Sequence, residues 1–560
     1  MDRKYTIGVD FGTESARALL VDVITGQEVA FSVASFEHGV MDKRLQNGIK
    51  LGNEWALQDP QDYLDALCLS ITALGRKAKI DMDKIIGIGI DFTSSTILPL
   101  DQSGNPLCFQ PEYRENPHSW VKLWKHHSSQ AEATFMTKIA EKRNEPFLRQ
   151  YGGKISSEWM FPKILEILKD APEIFLATDI FMEAGDWLTY KLTGNLIRSA
   201  NSSGFKALWS KKEGYPSNLY FKSLDPLLGN IIDTKMRGKI MDIGSEAGLL
   251  SDEMAVKLNL PPGISVAVAC IDAHAGVPAV GSVDEGQLVM TMGTSTCHMV
   301  LSKREVDIQG ICGMVEDGIV PGYYSYETGQ AAVGDLFNWF VERITPLEIK
   351  DEAEKKGQSI HSILEEKVAH YAPGETGLVA LDWWNGNRSV LVDADLSGMI
   401  IGLTLDSKPL EIFRALLEST AYGTRRIIEA FIKSGIEIKE IVASGGIPQR
   451  NQTLMQMYAD ITQKEIKIGG SEQPMALGSA IYAAVAAGTG KGGYGSLEEA
   501  SKQMSSISVQ RFVPNPNYVP VYDQIYKVYL KLHDYFGINQ KDVMHTLKKL
   551  KGITNHNMLF

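Results

Sequence analysis

Apolar and polar positions alternate sharply at the start of the chain. Tyr5-Thr6-Ile7-Gly8-Val9 runs into Asp10-Phe11-Gly12-Thr13, and after Glu14-Ser15-Ala16-Arg17 a second apolar run, Ala18-Leu19-Leu20-Val21, follows. Two such runs about a Gly-containing turn predict a β-hairpin. The period then changes. From Trp55 to Lys79 the spacing is helical, with Tyr63, Leu67, Ile71 and Leu74 on one face. Ile85-Ile86-Gly87-Ile88-Gly89-Ile90-Asp91 reads as a buried strand that ends in an acid and a polar loop, Thr93-Ser94-Ser95-Thr96. Polar loops at the carboxyl ends of strands are where open α/β sheets place ligands.

Residues from about 115 to 260 read as mostly helical and loop-rich, and hold Trp120, Trp124, Trp159, Trp187 and Trp209. A second half is expected to open with the apolar strand Ile264-Ser265-Val266-Ala267-Val268-Ala269-Cys270-Ile271-Asp272. A helix from Gly334 to Glu342 follows, then the strand Ile441-Val442-Ala443-Ser444 ending in Gly445-Gly446, and a helix from Gln452 to Ile461. Tyr522, Ile525, Tyr526, Tyr529, Leu532 and Phe536 form an aromatic stripe at helical spacing, which predicts a closing helix packed on the body.

The opening hairpin recurs. Leu288-Val289-Met290-Thr291-Met292 enters Gly293-Thr294-Ser295-Thr296, and Cys297-His298-Met299-Val300-Leu301 leaves it. Successive backbone amides in such a turn form an anion nest that can wrap phosphate oxygens, and Asp10 at a strand end can hold Mg²⁺ through water. An ordinary hairpin with a Gly turn fits the first copy equally well. A second copy in the other half points to two homologous lobes facing each other across a cleft, a repeat at the scale of domains.

Composition narrows the partners. Hydrophobic residues make up 44% and charged residues 22% of 560, the pattern of a globular chain long enough for two or three domains. A formal charge of −12 argues against nucleic acid or an anionic membrane as partner. The most apolar late run, Ala480 to Ala487, is too short to span a bilayer, and Met1-Asp2-Arg3-Lys4 passes directly into the first strand, so no leader is expected. Five cysteines without CxxC pairing fit a reducing, cytoplasmic setting better than a disulfide framework or a zinc site.

Several motif matches fail on context. Asp10-Phe11-Gly12 lacks the HRD loop and strand lysine of protein kinases, no GxxxxGK[ST] is present, and Gly488-Thr489-Gly490-Lys491 follows no strand and reads as a flexible loop. Asp272 ends an apolar strand and precedes Ala273-His274-Ala275-Gly276, so it can take a proton from a substrate hydroxyl or simply cap the next helix. Gly445-Gly446 permits close approach of a flat ligand to the backbone; a cap-like turn is the alternative. His274, His298 and the pair His126-His127 have no metal-ligand spacing and read as structural or peripheral.

Together these elements resemble the actin–hexokinase type of nucleotide-binding fold, and specifically the FGGY carbohydrate kinases. That family's second signature is matched by Gly398-Met399-Ile400-Ile401-Gly402-Leu403 with Glu411-Ile412-Phe413-Arg414-Ala415-Leu416-Leu417-Glu418. The first is poorer: Ser157 to Leu165 keeps Lys163 but departs around it. The segments Gly152-Gly153-Lys154-Ile155-Ser156-Ser157-Glu158-Trp159, Ser203-Gly204-Phe205-Lys206-Ala207-Leu208-Trp209 and Tyr326-Glu327-Thr328-Gly329-Gln330 are similar to the family members that act on ketopentoses.

The resemblance implies an α/β protein of two lobes with a ribonuclease H-like core and a cleft between them, divided as 1–262, 263–505 and a helical tail 506–560. It implies phosphoryl transfer from ATP, with Mg²⁺, to O5 of a ketopentose sugar, and a possible homodimer. Asp272 would be the general base and Asp10 the Mg²⁺ residue. Gly12, Thr13, Ser15 and Arg17 would hold phosphates from one lobe, and Gly293, Thr294 and Ser295 from the other. Gly334, Gly445, Gly446 and Asn451 would line the adenosine pocket, and Ser94, Ser95, Lys206 and Glu327 would bind the sugar beside Asp272. Other members of the family, acting on xylulose, ribitol or glycerol, are the nearest alternative. An ATP-gated chaperone or filament protein on the same fold is a more distant one.

Overall fold

A computed structural model describes residues 3–557. The apolar runs form two seven-stranded sheets. The first holds β1 (Tyr5–Phe11), β2 (Ser15–Asp22), β3 (Glu28–Ser35), β4 (Ile85–Phe92), β5 (Glu246–Leu249), β6 (Ser265–Ala267) and β7 (Cys270–Ile271). The second holds β8 (Gln287–Met292), β9 (Thr296–Ser302), β10 (Gly313–Glu316), β11 (Tyr324–Gln330), β12 (Glu440–Ser444), β13 (Glu465–Gly469) and β14 (Ile507–Phe512).

The two sheets repeat one plan. In the first, the order is β5-β6-β4-β1-β2-β3, with β7 on β4; in the second it is β10-β11-β9-β8-β12-β13-β14. Starting from β1 or β8, each sheet runs antiparallel through two strands one way (β2 and β3; β9 and β11), and the second adds a further antiparallel strand, β10, beyond β11. The other way it runs parallel through two (β4 and β6; β12 and β13) and closes on an antiparallel edge strand, β5 or β14. The two expected hairpins are β1–β2 and β8–β9, the centres of the two halves.

The strand Ile264 to Asp272 departs from expectation. It breaks into β6 and β7, and both hydrogen-bond to β4 of the first sheet rather than opening the second. Its local pattern suits either sheet, and only the long-range pairing decides. The seam expected between residues 262 and 263 therefore falls inside a stretch that completes the first sheet.

Helices cover the sheets. α1 (Pro60–Ala78) starts later than its apolar spacing suggested, because Leu57–Gln58 pairs as a short strand and the Asp59 side chain caps the helix by accepting from Gln61 N. Tyr63, Leu67, Ile71 and Leu74 are buried on its inner face. Four further helices bear on the strand ends: α2 (Ala200–Lys206), α3 (Asp272–Ala279), α4 (Gly334–Arg343) and α7 (Pro474–Ala487), the last after α5 (Pro409–Lys433) and α6 (Gln452–Thr462). The closing α8 (Val519–Asp534) buries Tyr522, Tyr526 and Tyr529, and Arg414 of α5 donates to the Tyr522 hydroxyl at 2.7 Å. Among the described residues no helix is long and apolar enough to cross a membrane.

α7 belongs to the second half of the chain but lies on the first sheet. A Cβ on Gly8 would fall 1.8 Å from Ala476 O, and one on Gly89 2.0 Å from Ser479 O. Backbone packs directly on backbone there. A Cβ on Gly478 of α7 would in turn fall 1.7 Å from Ala275 O of α3, so the two helices share the seam between the lobes.

Candidate functional site

The strand ends bring three carboxylates together. Asp10 of β1 and Asp91 of β4 are register partners in a parallel pair, Cys270 of β7 pairs with Asp91 on its other side, and Asp272 follows as the first residue of α3. Burial holds the Asp91 carboxyl well above its usual range and the neighbouring Asp10 charge adds to this, against a 2.6 Å hydrogen bond from the Ser479 hydroxyl. Half-buried Asp272 is pushed up to about 7, first by burial and then by Asp10. Its Oδ1 accepts from Ala273 N at 2.7 Å, a bond to the next residue of α3, whose N-cap is Ile271 and has no side-chain cap.

Both turns are closed by their own backbone. Gly12 N–H donates to Ser15 O at 3.0 Å, and Gly293 N–H to Ser295 O at 2.9 Å. The first turn is braced from its own lobe: Gln58 Nε2 donates to Thr13 O at 2.6 Å, Trp124 Nε1 to Thr13 Oγ1 at 3.2 Å, and Arg17 to Asp10 Oδ2 at 2.9 Å. The second turn is braced by the start of α4. Gly334 N–H donates to Gly293 O (3.1 Å), and the amides of Val333 and Asp335 both donate to Thr294 O (2.9 and 3.1 Å). A Cβ on Gly334 would come within 2.5 Å of Gly293 O, so no larger residue fits.

Beside that turn, Gly445 sits at φ +100° and a Cβ there would be 2.4 Å from Met292 O. Gly446 has open space around it. Asn451 Oδ1 accepts from Leu454 N at 2.8 Å and caps α6. These three residues and Gly334 therefore gather at one end of β8 and β12.

On the other side of the carboxylates, Lys206 at the end of α2 and Glu327 of β11 form a buried ion pair, Nζ lying 2.8 Å from Oε1 and 2.7 Å from Oε2. Burial opposes the charge on both. Each charge outweighs it for the other: Glu327 is held below the usual carboxylate range and Lys206 above the usual ammonium range. Ser94 is half-buried, and Ser95 is buried at φ +54° with its carbonyl accepting from Lys163 Nζ at 2.6 Å. The same Nζ donates to Leu123 O at 2.8 Å. Lys163, at the poorly matched first signature, thus ties the loop of Ser95 to the loop of Trp124 behind the first turn.

Three groups at the site carry no signal that local sequence reading could have used, and a fourth, Asp91, shows in sequence as the acid that ends a strand before a ligand-placing polar loop, with no role of its own. His274, read as structural or peripheral, places Nε2 3.3 Å from Glu327 Oε2. Asn201 of α2 donates to His274 Nδ1 at 2.9 Å. Arg388 lies 3.6 Å from Glu158, bringing together segments 230 residues apart in order.

Comparison with known proteins decides the family. The N-terminal domain of the FGGY family of carbohydrate kinases matches residues 5–277, and its C-terminal domain matches residues 288–487. The chain belongs to the FGGY family of carbohydrate kinases. It is 54% identical over 554 residues to a ribulokinase of Halalkalibacterium halodurans, covering 99% of this chain and 98% of that one. It is 53% identical over 552 residues to a ribulokinase of Geobacillus thermodenitrificans, covering 98% of each. Among solved structures, a ligand-bound xylulose kinase from Lactobacillus acidophilus superposes with a TM-score of 0.78 at 19% identity, covering 96% of this chain and all of that one. The likeness of fold thus extends over both lobes of this FGGY kinase.

Proposed function

We propose that this FGGY kinase transfers the γ-phosphoryl group of ATP to O5 of L-ribulose. What carries the reading is the 53–54% identity to ribulokinases over almost the whole of both chains. The buried Lys206–Glu327 pair beside Asp272 supports it. A charged donor and a charged acceptor held apart from water suit a polyhydroxy substrate, because their remaining hydrogen-bonding positions stay unfilled when a hydroxyl is missing.

In the reaction the O5–H proton passes to Asp272 as O5 forms its bond to the γ-phosphorus, and the bond from that phosphorus to the bridging oxygen of ADP breaks. A carboxylate pushed up to about 7 is well matched to this duty near neutral pH. Ser94, Ser95, Lys206 and Glu327 orient the sugar. The turn of Gly12, Thr13 and Ser15 with Arg17, and the turn of Gly293, Thr294 and Ser295, hold phosphate oxygens from the two lobes; the Gly12 and Gly293 amides shape these turns by closing on Ser15 O and Ser295 O, and such positioning is most of what phosphoryl transfer asks of a protein. Gly334, Gly445, Gly446 and Asn451 receive adenosine.

Asp10 fits Mg²⁺ in its chemistry: it would offer hard carboxylate oxygens at a strand end beside the first turn, where Oδ2 accepts from Arg17. When bound, the ion neutralises charge on the phosphates. Closure of the lobes excludes water and limits ATP hydrolysis.

A panel of L-ribulose, xylulose, ribitol and glycerol in a coupled ADP-release assay tests the substrate. The highest kcat/KM is expected on L-ribulose. A preference of tenfold or more for any of the others would replace it.

A further inference from the structure

Asn201 is fully buried in α2, and its amide has one possible orientation. Oδ1 accepts from Ile271 N–H at 2.9 Å, and Nδ2 donates to Gly318 O at 2.6 Å. Flipping the amide would set N–H against N–H and oxygen against oxygen. With the amide fixed in this way, the second Nδ2 proton faces His274 Nδ1 at 2.9 Å. Nδ1 is therefore an acceptor, and the ring proton of a neutral imidazole must sit on Nε2. That nitrogen is 3.3 Å from Glu327 Oε2, the same oxygen that Lys206 holds at 2.7 Å. Burial pulls His274 below its ordinary value despite the Glu327 charge, which keeps the ring neutral. The Phe205 ring packs on it at 4.4 Å between centroids.

We propose that Asn201 and His274 are positioning residues: Asn201 selects the Nε2–H tautomer of His274, and the pair ties the backbone around Asp272 to the carboxylate of Glu327. The proposal rests on the roles given above to Asp272 and Glu327. Asp272 lies between Ile271, whose N–H Asn201 holds, and His274, whose ring Asn201 holds, so the first turn of α3 is clamped on both sides of the base. Glu327 is held by Lys206 from α2, and the His274 ring of α3 stands against the same carboxylate with Nε2 3.3 Å from Oε2, facing it without a formed hydrogen bond. One side chain thereby sets the distance between the group that takes the proton and the group that orients the sugar. A shift of about 1 Å in such a distance costs up to roughly a hundredfold in rate.

The test has a spectroscopic arm and a kinetic arm, both on the full chain. ¹⁵N resonances of His274, assigned by their loss in His274→Leu, are expected to show a neutral ring protonated at Nε2 from pH 6 to 8. A proton on Nδ1 in the unmodified protein overturns the proposal. Asn201→Asp replaces the donor by an acceptor, so the ring is expected to become doubly protonated at pH 7. In kinetics, His274→Leu is expected to raise the sugar KM or lower kcat about tenfold or more with the KM for ATP within twofold. His274→Gln, which keeps a donor, is expected to recover most of the loss. Equal losses in the Leu and Gln variants, with both KM values moving together, mean a merely structural role and overturn it too. A fully active Asp272→Asn removes the base assignment instead and leaves the tautomer measurement standing.

Discussion

Ser479 donates a 2.6 Å hydrogen bond to Asp91, joining a helix from late in the chain to the strand end that sits beside Asp10. The contact is possible because glycines line the sheet beneath α7. A Cβ on Gly89 would lie 2.0 Å from the Ser479 carbonyl, against backbone that has nowhere to go. Gly89→Ala is expected to cost about 3 kcal/mol, the upper range for overpacking a core. Gly490→Ala, where nothing lies within 4 Å of the added carbon, should stay within about 0.5 kcal/mol. Urea denaturation of the two variants checks the contrast, and equal stabilities would refute direct backbone packing at the seam.

Asp272 links rate and stability with opposite signs. As a base it works deprotonated, so kcat/KM is expected to rise with pH and level off above about 7. Asp272→Asn should lose about 10²–10⁴ in kcat while the KM for ATP changes little. For folding, the raised carboxyl contributes stability that is full below the ordinary value of 3.8 and is lost as pH rises through about 7. The Asn variant carries no such charge. Calorimetry should show it melting above the unmodified protein at pH 8, with the gap closing toward pH 4, whereas a gap that widens on acidification contradicts the sign.

Much of the fold was legible because its signals are local. The two hairpins announce themselves through strand alternation around Gly12-Thr13 and Gly293-Thr294, and Asp272 through the change from strand to helix. What was not legible depends on which strand lies beside which. The run Ile264 to Asp272 reads the same whether it opens one sheet or completes another, and the pairing with Ile85–Phe92 decides. His274 and Asn201 are ordinary residues in their own segments. Their chemistry exists only because α2, α3 and β11 converge, and the pairings that bring them together span 73 and 121 positions.

Lys206 and Glu327 compensate each other inside the protein, so removing one leaves a buried charge alone. Lys206→Met is expected to cost about 3–5 kcal/mol and to raise the sugar KM at least tenfold with the KM for ATP nearly unchanged. Adding Glu327→Gln should restore part of the stability and none of the sugar affinity. A double-mutant cycle in stability, with KM measured for both substrates, separates the two effects. If the double variant is as unstable as the sum of the singles, the residues do not act as a pair.

Gly445 and Gly446 are neighbours with different constraints, which separates folding from ligand binding at the proposed adenosine pocket. Gly445 needs both its left-handed backbone and its missing side chain, since φ is +100° and a Cβ would meet Met292 O at 2.4 Å. Gly445→Ala is expected to destabilise by about 1–3 kcal/mol through backbone strain and to displace the end of β8. Gly446 meets nothing within 4 Å, so Gly446→Ala should be stable to within about 0.5 kcal/mol. If adenosine lies against this turn, the added methyl group occupies its space, and the KM for ATP should rise several-fold with the sugar KM unchanged. Thermal melts and initial rates on the two variants read both quantities. An unaltered KM for ATP in Gly446→Ala would move the nucleotide base away from the double glycine.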